Sequence, residues 1–169
     1  MPLPKHEDFI ELKSDISTFI ETGSFEGHGV QKALDAGFEK IYSCELMKQH
    51  YDFCMNRFEG NDNVNLYLGS SEYFLPELLE QIDERFVLWL DAHGGYAGVA
   101  GEPMKQYLPR EMDCLVKYSD KFKDSIIMVD DINYFIDDKQ FLELLESKLK
   151  KIKPESTIEY YENRIIICK

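Results

Sequence analysis

Acidic residues stand at the ends of several short apolar segments of this 169-residue chain, and their spacing limits the chemistry they could do. The first group is Glu21-Thr-Gly23-Ser-Phe-Glu-Gly27-His-Gly29. Its glycines let the backbone turn sharply and approach a ligand closely. A dinucleotide loop reads Gly-x-Gly-x-x-Gly and aims a helix N-terminus at a pyrophosphate. Here the spacing is Gly-x-x-x-Gly-x-Gly with an acid in front, which suits a cation better than a phosphate. The bland alternative is a tight turn kept for packing. Glu45 lies sixteen positions past Gly29. A carboxylate there can accept both hydroxyls of a ribose; otherwise it is a solvated acid beside a helix N-terminus.

A second group sits further along the chain. Asp91-Ala-His93-Gly-Gly-Tyr96 and Asp130-Asp131-Ile-Asn133 each come after an apolar run. If Asp91, Asp130 and Asp131 converge, their charges repel unless a cation joins them. Mg²⁺ would do so, and could lower the pKa of an acceptor hydroxyl. The alternative is that these acids cap turns or sit in water. His93 is the other candidate base, since an imidazole with a pKa of about 6.5 can take a hydroxyl or amine proton. Against that stands an ordinary hydrogen-bonded loop histidine. Asp91 and His93 are thus the catalytic candidates, and Tyr96 is placed to touch a substrate. His6 and His50 have no constellation around them, His28 sits inside the glycine loop, and Trp89 reads as core.

The elements that must position these residues alternate. Ser17–Glu21, Lys40–Glu45, Val64–Leu68, Arg85–Leu90 and Ser125–Val129 read as strands. Gly29–Ala36, Met47–Phe58, Glu72–Ile82, Met104–Tyr118 and Lys139–Ile152 read as helices. In the second of these helices Tyr51, Cys54, Met55 and Phe58 share a face. Pro76 falls in or near the first turn of its helix, where a missing N–H costs little. Pro109 is expected to interrupt or restart the helix that contains it. The run Arg85–Leu90 is apolar on both faces and belongs at the sheet centre. Thr157–Tyr161 and Arg164–Cys168 have so short a connection that they must form a hairpin. Residues 1–16 form an N-terminal arm with a short helix at Glu7–Leu12. The whole, 1–169, reads as one domain. Five βα units and a hairpin give an α/β fold: a three-layer α/β/α sandwich, mostly parallel, with an antiparallel edge.

On these residues the sequence resembles the class I S-adenosylmethionine-dependent methyltransferases. Glu21-x-Gly23-x-x-x-Gly27-x-Gly29 looks like the family's first motif, and Glu45 sits where its ribose-binding acid does. The resemblance runs from about Ser17 to Lys169. It implies a seven-stranded sheet of order 3-2-1-4-5-7-6. It places Glu21, Thr22, Gly23, Ser24, Gly27 and Gly29 around the methionine end of S-adenosylmethionine, Glu45 and Leu46 at the ribose, and Ser70 and Ser71 at the adenine. Asp91 would also border the cofactor. Many members carry an acid after the third strand for the adenine amino group; here Gly69-Ser70-Ser71 stands instead, and a hydroxyl can substitute. Acids after strands four and five also look like the arrangement in catechol O-methyltransferase-type enzymes.

Composition bounds the partners. There are 19 basic and 32 acidic residues, a net charge of −13, which opposes phosphate backbones and anionic membranes. No apolar run is long enough to cross a bilayer, and the N-terminal residues lack a signal-type apolar stretch. A cytoplasmic protein is expected. The cysteines Cys44, Cys54, Cys114 and Cys168 form no Cys-x-x-Cys pair and read as buried free thiols. There is no Gly-x-Ser-x-Gly elbow, Walker loop or nucleic-acid amino-methyltransferase motif after Leu90. The leading expectation is an enzyme that methylates a small molecule, at oxygen rather than nitrogen, such as a sugar or other polyhydroxyl metabolite. Residues 92–103, the segment after Asp131, the N-terminal arm or a second subunit of a homo-oligomer would complete its pocket. The alternatives are a non-catalytic nucleoside-binding module and an NAD-type oxidoreductase.

Overall fold

Each helix carries an apolar stripe and each central strand is apolar on both faces, so the helices bury their stripes only by lying on the sheet. The computed structural model, which describes residues 6–92, 104–162 and 165–169, has that layout. The strands are β1 (Thr18–Thr22), β2 (Lys40–Glu45), β3 (Val64–Leu68), β4 (Phe86–Leu90), β5 (Ile126–Val129), β6 (Ile158–Tyr161) and β7 (Ile165–Cys168). The helices are α1 (His6–Lys13), α2 (His28–Asp35), α3 (Lys48–Arg57), α4 (Ser71–Leu79), α5 (Met104–Val116) and α6 (Lys139–Ile152). The sheet order is β3-β2-β1-β4-β5-β7-β6. The strands from β3 to β5 are parallel, while β7 runs antiparallel to β5 and β6. The order expected from the resemblance is the order found.

Alternation along the strands builds two cores. Ile20, Leu88, Leu90, Ile127 and Val129 face α4, α5 and α6. Phe19, Ile41, Val87, Trp89 and Met128 face α1, α2 and α3. Trp89 is fully buried, as expected of a core residue, and its ring meets Phe9 edge-on at 5.2 Å between centroids.

Both prolines depart from the sequence expectation. Pro109 lies inside α5, which runs through it without a break, and Pro76 lies inside α4 beyond its first turn. Each loses one helical hydrogen bond. The loss is outweighed by burial of Leu108, Met112 and Leu115 along α5, and of Phe74, Leu75, Leu78 and Leu79 along α4. Met55 also departs: it is 46% exposed on α3, while Cys54 and Phe58 of the expected face are buried. Three of the four cysteines are buried free thiols and Cys114 is half-buried. Among the described residues no helix is long and apolar enough to cross a membrane.

Candidate functional site at the carboxyl rim of the sheet

In a parallel sheet every strand points its carboxyl end at the same rim, and the order reverses between β1 and β4. Glu21 is the next-to-last residue of β1, in register with Ser43 on one side and Trp89 on the other. Its side chain lies beneath the glycine loop, only 1% exposed. Ser43 Oγ donates to Glu21 Oε2 at 2.6 Å, so Ser24 Oγ, 2.7 Å from Ser43 Oγ, is the donor in that second bond. Burial pushes the Glu21 carboxyl up to about 8; the Ser43 bond opposes the shift and the Glu45 charge adds to it. Gly29 makes this enclosure possible. A Cβ there would sit 1.8 Å from Glu21 Oε1 and 2.8 Å from Trp89 Cζ3, so the first turn of α2 passes this close to the carboxyl group because its second residue is glycine.

The loop is held from two sides. Gly23 adopts φ +86°, and its N–H and that of Ser24 donate to Cys44 O at 2.9 and 3.0 Å. A Cβ on Gly23 would come within 2.8 Å of Ala92 Cα and of Asp91 O, so the ends of β1 and β4 touch here through backbone alone. Thr22 Oγ1 accepts the N–H groups of Asp91 and Ala92, each at 3.2 Å. Thr22 is therefore a strut between the two strand ends. Gly27 is the N-cap residue of α2.

Glu45 ends β2 and is 6% exposed. Its Oε2 accepts the N–H of Phe25 at 2.9 Å and its Oε1 accepts that of Met47 at 2.7 Å. Each carboxylate oxygen has a second lone pair, so both keep acceptor capacity. Phe25, itself at φ +45°, lays its ring 4.5 Å from that of His50. Around Glu45 the rim is apolar and open: Phe25 is 54% exposed, Leu46 44%, Met47 46% and Leu68 49%. Such a surface fits a flat, partly apolar ligand better than bulk water.

At the end of β3, Ser70 caps α4 by accepting the Glu72 N–H at 3.3 Å. A residue that sequence reasoning missed joins it. Tyr107, near the start of α5, places its Oη 2.7 Å from Ser71 Oγ and 3.2 Å from Ser70 Oγ. No motif marks Tyr107 in the sequence. The only available signal was that α5 starts at the same rim, because it comes after β4.

The acceptor half is differently built. Asp91 is half-buried at the end of β4, next to Thr22. Asp130 is fully buried; its N–H donates to Leu90 O at 3.1 Å and its Oδ1 accepts the Asp131 N–H at 2.6 Å. Asp131 takes φ +60° and starts a one-turn helix, Ile132–Phe135. Asp91, Asp130 and Asp131 do not form the expected magnesium site: among the described residues no group of three or more His, Cys, Asp or Glu is placed to hold a metal. Asp130 is fully buried, with one carboxyl oxygen on its neighbour's N–H. His93 and Tyr96 lie outside the described residues.

The donor set at the β1–β3 end, acids and hydroxyls flanked by apolar side chains, fits a nucleoside that carries positive charge and no phosphate. The sheet order and flanking layers define the class I methyltransferase fold, Rossmann-like with a terminal hairpin. Solved structures agree. The methyltransferase PaMTH1 of Podospora anserina, solved with S-adenosylhomocysteine, superposes with a TM-score of 0.66 at 12% identity, covering 97% of this chain and 76% of that one. The O-methyltransferase TomG of Streptomyces achromogenes, in complex with S-adenosylmethionine, gives 0.66 at 13% identity over 99% of this chain and 80% of that one. An O-methyltransferase from Bacillus cereus, solved with S-adenosylhomocysteine, gives 0.63 at 14% identity over 99% and 82%. No protein-family profile matches the chain, and no curated protein matches it in sequence. At such identities the likeness establishes the fold.

Proposed function

We propose that this protein is an S-adenosylmethionine-dependent methyltransferase acting on the hydroxyl of a small molecule. The observation that carries the reading is Glu45, a nearly buried carboxylate at the end of β2 whose two oxygens keep acceptor capacity beside an open apolar rim. A ribose diol is a pair of donors that such a carboxylate can take in bidentate fashion. Glu21, Ser43 and Ser24 hold the glycine loop over the end of β1. When bound, S-adenosylmethionine supplies a methyl group on a good leaving group. The chain's own task is to hold the loop, exclude water and align the acceptor. Asp91, its backbone tied to β1 through Thr22, stands between the two halves and is the acid assigned here to orient an acceptor proton.

A hydroxyl acceptor is supported by the fold's use in TomG and in the Bacillus cereus O-methyltransferase. The net charge of −13 favours a small molecule over nucleic acid. The test is transfer of labelled methyl from S-adenosylmethionine to a pool of hydroxylated metabolites. Labelled product is expected, and Glu45→Ala should abolish it. A second reading, a nucleoside-binding module without transfer, is favoured by the full burial of Asp130 at the end of β5. Tight binding of S-adenosylhomocysteine with no transfer to any acceptor would select it. Binding of neither S-adenosyl compound would overturn both.

A further inference from the structure

We propose that the free edge of β3 is a dimer interface, on which a second copy of this chain pairs its own β3 antiparallel, about a two-fold axis at Leu66. The sheet has two edges, and they are built differently. At one end, β6 carries Glu159, ion-paired with Lys169 at 2.9 Å, and Tyr160, whose hydroxyl donates to Glu146. Charge along an edge discourages a foreign strand. At the other end, β3 reads Val-Asn-Leu-Tyr-Leu, with no charged residue and no proline. Its register with β2 is regular from Val64 to Leu68, so no bulge bends it away. Among the described residues no strand lies on its outer side. An edge of this kind is a template for another strand.

The ladder decides what faces outward. Asn63 O accepts the Ile41 N–H at 2.8 Å and the Gly69 N–H donates to Glu45 O at 2.9 Å, so the odd-numbered residues of this stretch bond β2. Leu66 and Leu68 then turn their N–H and C=O groups outward. Val64 offers its C=O, while its N–H is held by Asn61 O at 3.1 Å. Apolar side chains gather along the same edge. Leu68 is half exposed, Tyr67 is 40% exposed with its ring 5.0 Å from that of Phe74, and Tyr73, in the first turn of α4, is 80% exposed. Charge and symmetry name the occupant. The chain carries −13, so a second copy can approach only where acids do not meet. Antiparallel pairing about Leu66 sets Leu66 against Leu66, Val64 against Leu68 and Asn65 against Tyr67, and brings Asp62, the acid nearest the strand, against Ser70. No acid then opposes an acid. The two-fold also closes the assembly, because it uses both β3 edges and leaves only the charged β6 edges outside. The pairing makes about four backbone bonds. It covers about 600 Å² per copy, the lower end for a specific interface.

Sedimentation equilibrium of the unaltered protein tests this. A species of twice the chain mass is expected, dissociating with a Kd of about 10 μM. Leu66→Lys sets two ammonium groups beside each other across the axis and should weaken the dimer about a hundredfold. Its melting temperature, measured alongside, reports whether the variant is folded. Leu66→Cys decides the matter if it is not. The axis puts the two Cα atoms about 5.5 Å apart, within disulfide reach, so mild oxidation should link two chains. The unaltered protein, whose cysteines are buried or half-buried, should stay unlinked under the same oxidant. A monomer at about 100 μM overturns the proposal. So does a folded Leu66→Lys variant that dimerises as tightly as the unaltered protein, or a Leu66→Cys variant that does not link. Assemblies larger than two chains overturn the two-fold closure.

Discussion

The rim of the sheet has two halves with the same raw material and opposite outcomes. On the β1–β2–β3 side, Glu45 is nearly buried, lies beside an open apolar rim and is held by the N–H groups of Phe25 and Met47. On the β4–β5 side, Asp130, the residue after its strand, is fully buried and accepts the N–H of Asp131. An acid after a strand is thus not a site by itself. The residues next in the chain decide its fate. After β2 the chain leaves through exposed Leu46 and Met47, whereas after β5 it turns at once into a short helix whose Ile132 is buried. The first half carries the proposed nucleoside site, and the second half needs residues beyond those acids to become a pocket.

That contrast can be broken or sharpened experimentally. The largest effect is expected at Gly29, where an added Cβ would collide with the Glu21 carboxyl at 1.8 Å. Gly29→Ala should destabilise the protein by about 3 kcal/mol in urea unfolding, since relief means moving a buried, hydrogen-bonded carboxyl group and a buried Trp89 ring; a loss below about 1 kcal/mol would mean that the carboxyl group is not packed there. Next, Glu45→Ala should reduce affinity for S-adenosylhomocysteine about a hundredfold, because charged acceptors contribute about 1.5 to 3 kcal/mol per hydrogen bond. Unchanged binding by calorimetry would remove the ribose assignment.

Glu21 gives an effect of intermediate size with a definite sign. Its carboxyl is raised from 4.5 to about 8, so the folded state holds a proton that the unfolded state releases. The stabilisation is complete below about pH 4.5 and is lost as pH rises through about 8. The melting temperature should fall across that window. Glu21→Gln should flatten the profile and exceed the unaltered protein by about 2 kcal/mol above pH 8. The buried thiols do not blur this, because burial pushes Cys54 up to about 11 and Cys44 well above its ordinary value. A pH profile identical in both proteins would show that Glu21 ionises freely. The smallest effect belongs to the other half of the rim: Asp131→Asn should leave affinity for S-adenosylhomocysteine within about twofold. A large loss there would merge the two halves into one site.

Much of the scaffold was legible before any coordinates. The ranges Lys40–Glu45, Val64–Leu68 and Lys139–Ile152 read from periodicity and turn residues are the ranges found. Strands and helices elsewhere shift by one to three residues at their ends, where capping rather than periodicity decides. Pro76 and Pro109 were misjudged because local propensity argues for a break, while a buried stripe spanning the proline outweighs it. The glycine loop and Glu45 were legible as a pair because their spacing is set by one βα unit. Tyr107 was not, since it meets Ser71 from 36 residues away.

Local sequence alone thus determined where strands run to within about one residue, which residues carry acid or hydroxyl chemistry, and that a glycine loop comes after the first strand. Side-chain periodicity and backbone freedom, which act over a few neighbours, are enough for that. Only the tertiary structure decided which acids reach solvent, which are sealed into the core, and which hydroxyls become partners. Burial and hydrogen bonding across the sheet depend on elements far apart in the chain, and no short stretch of residues encodes them.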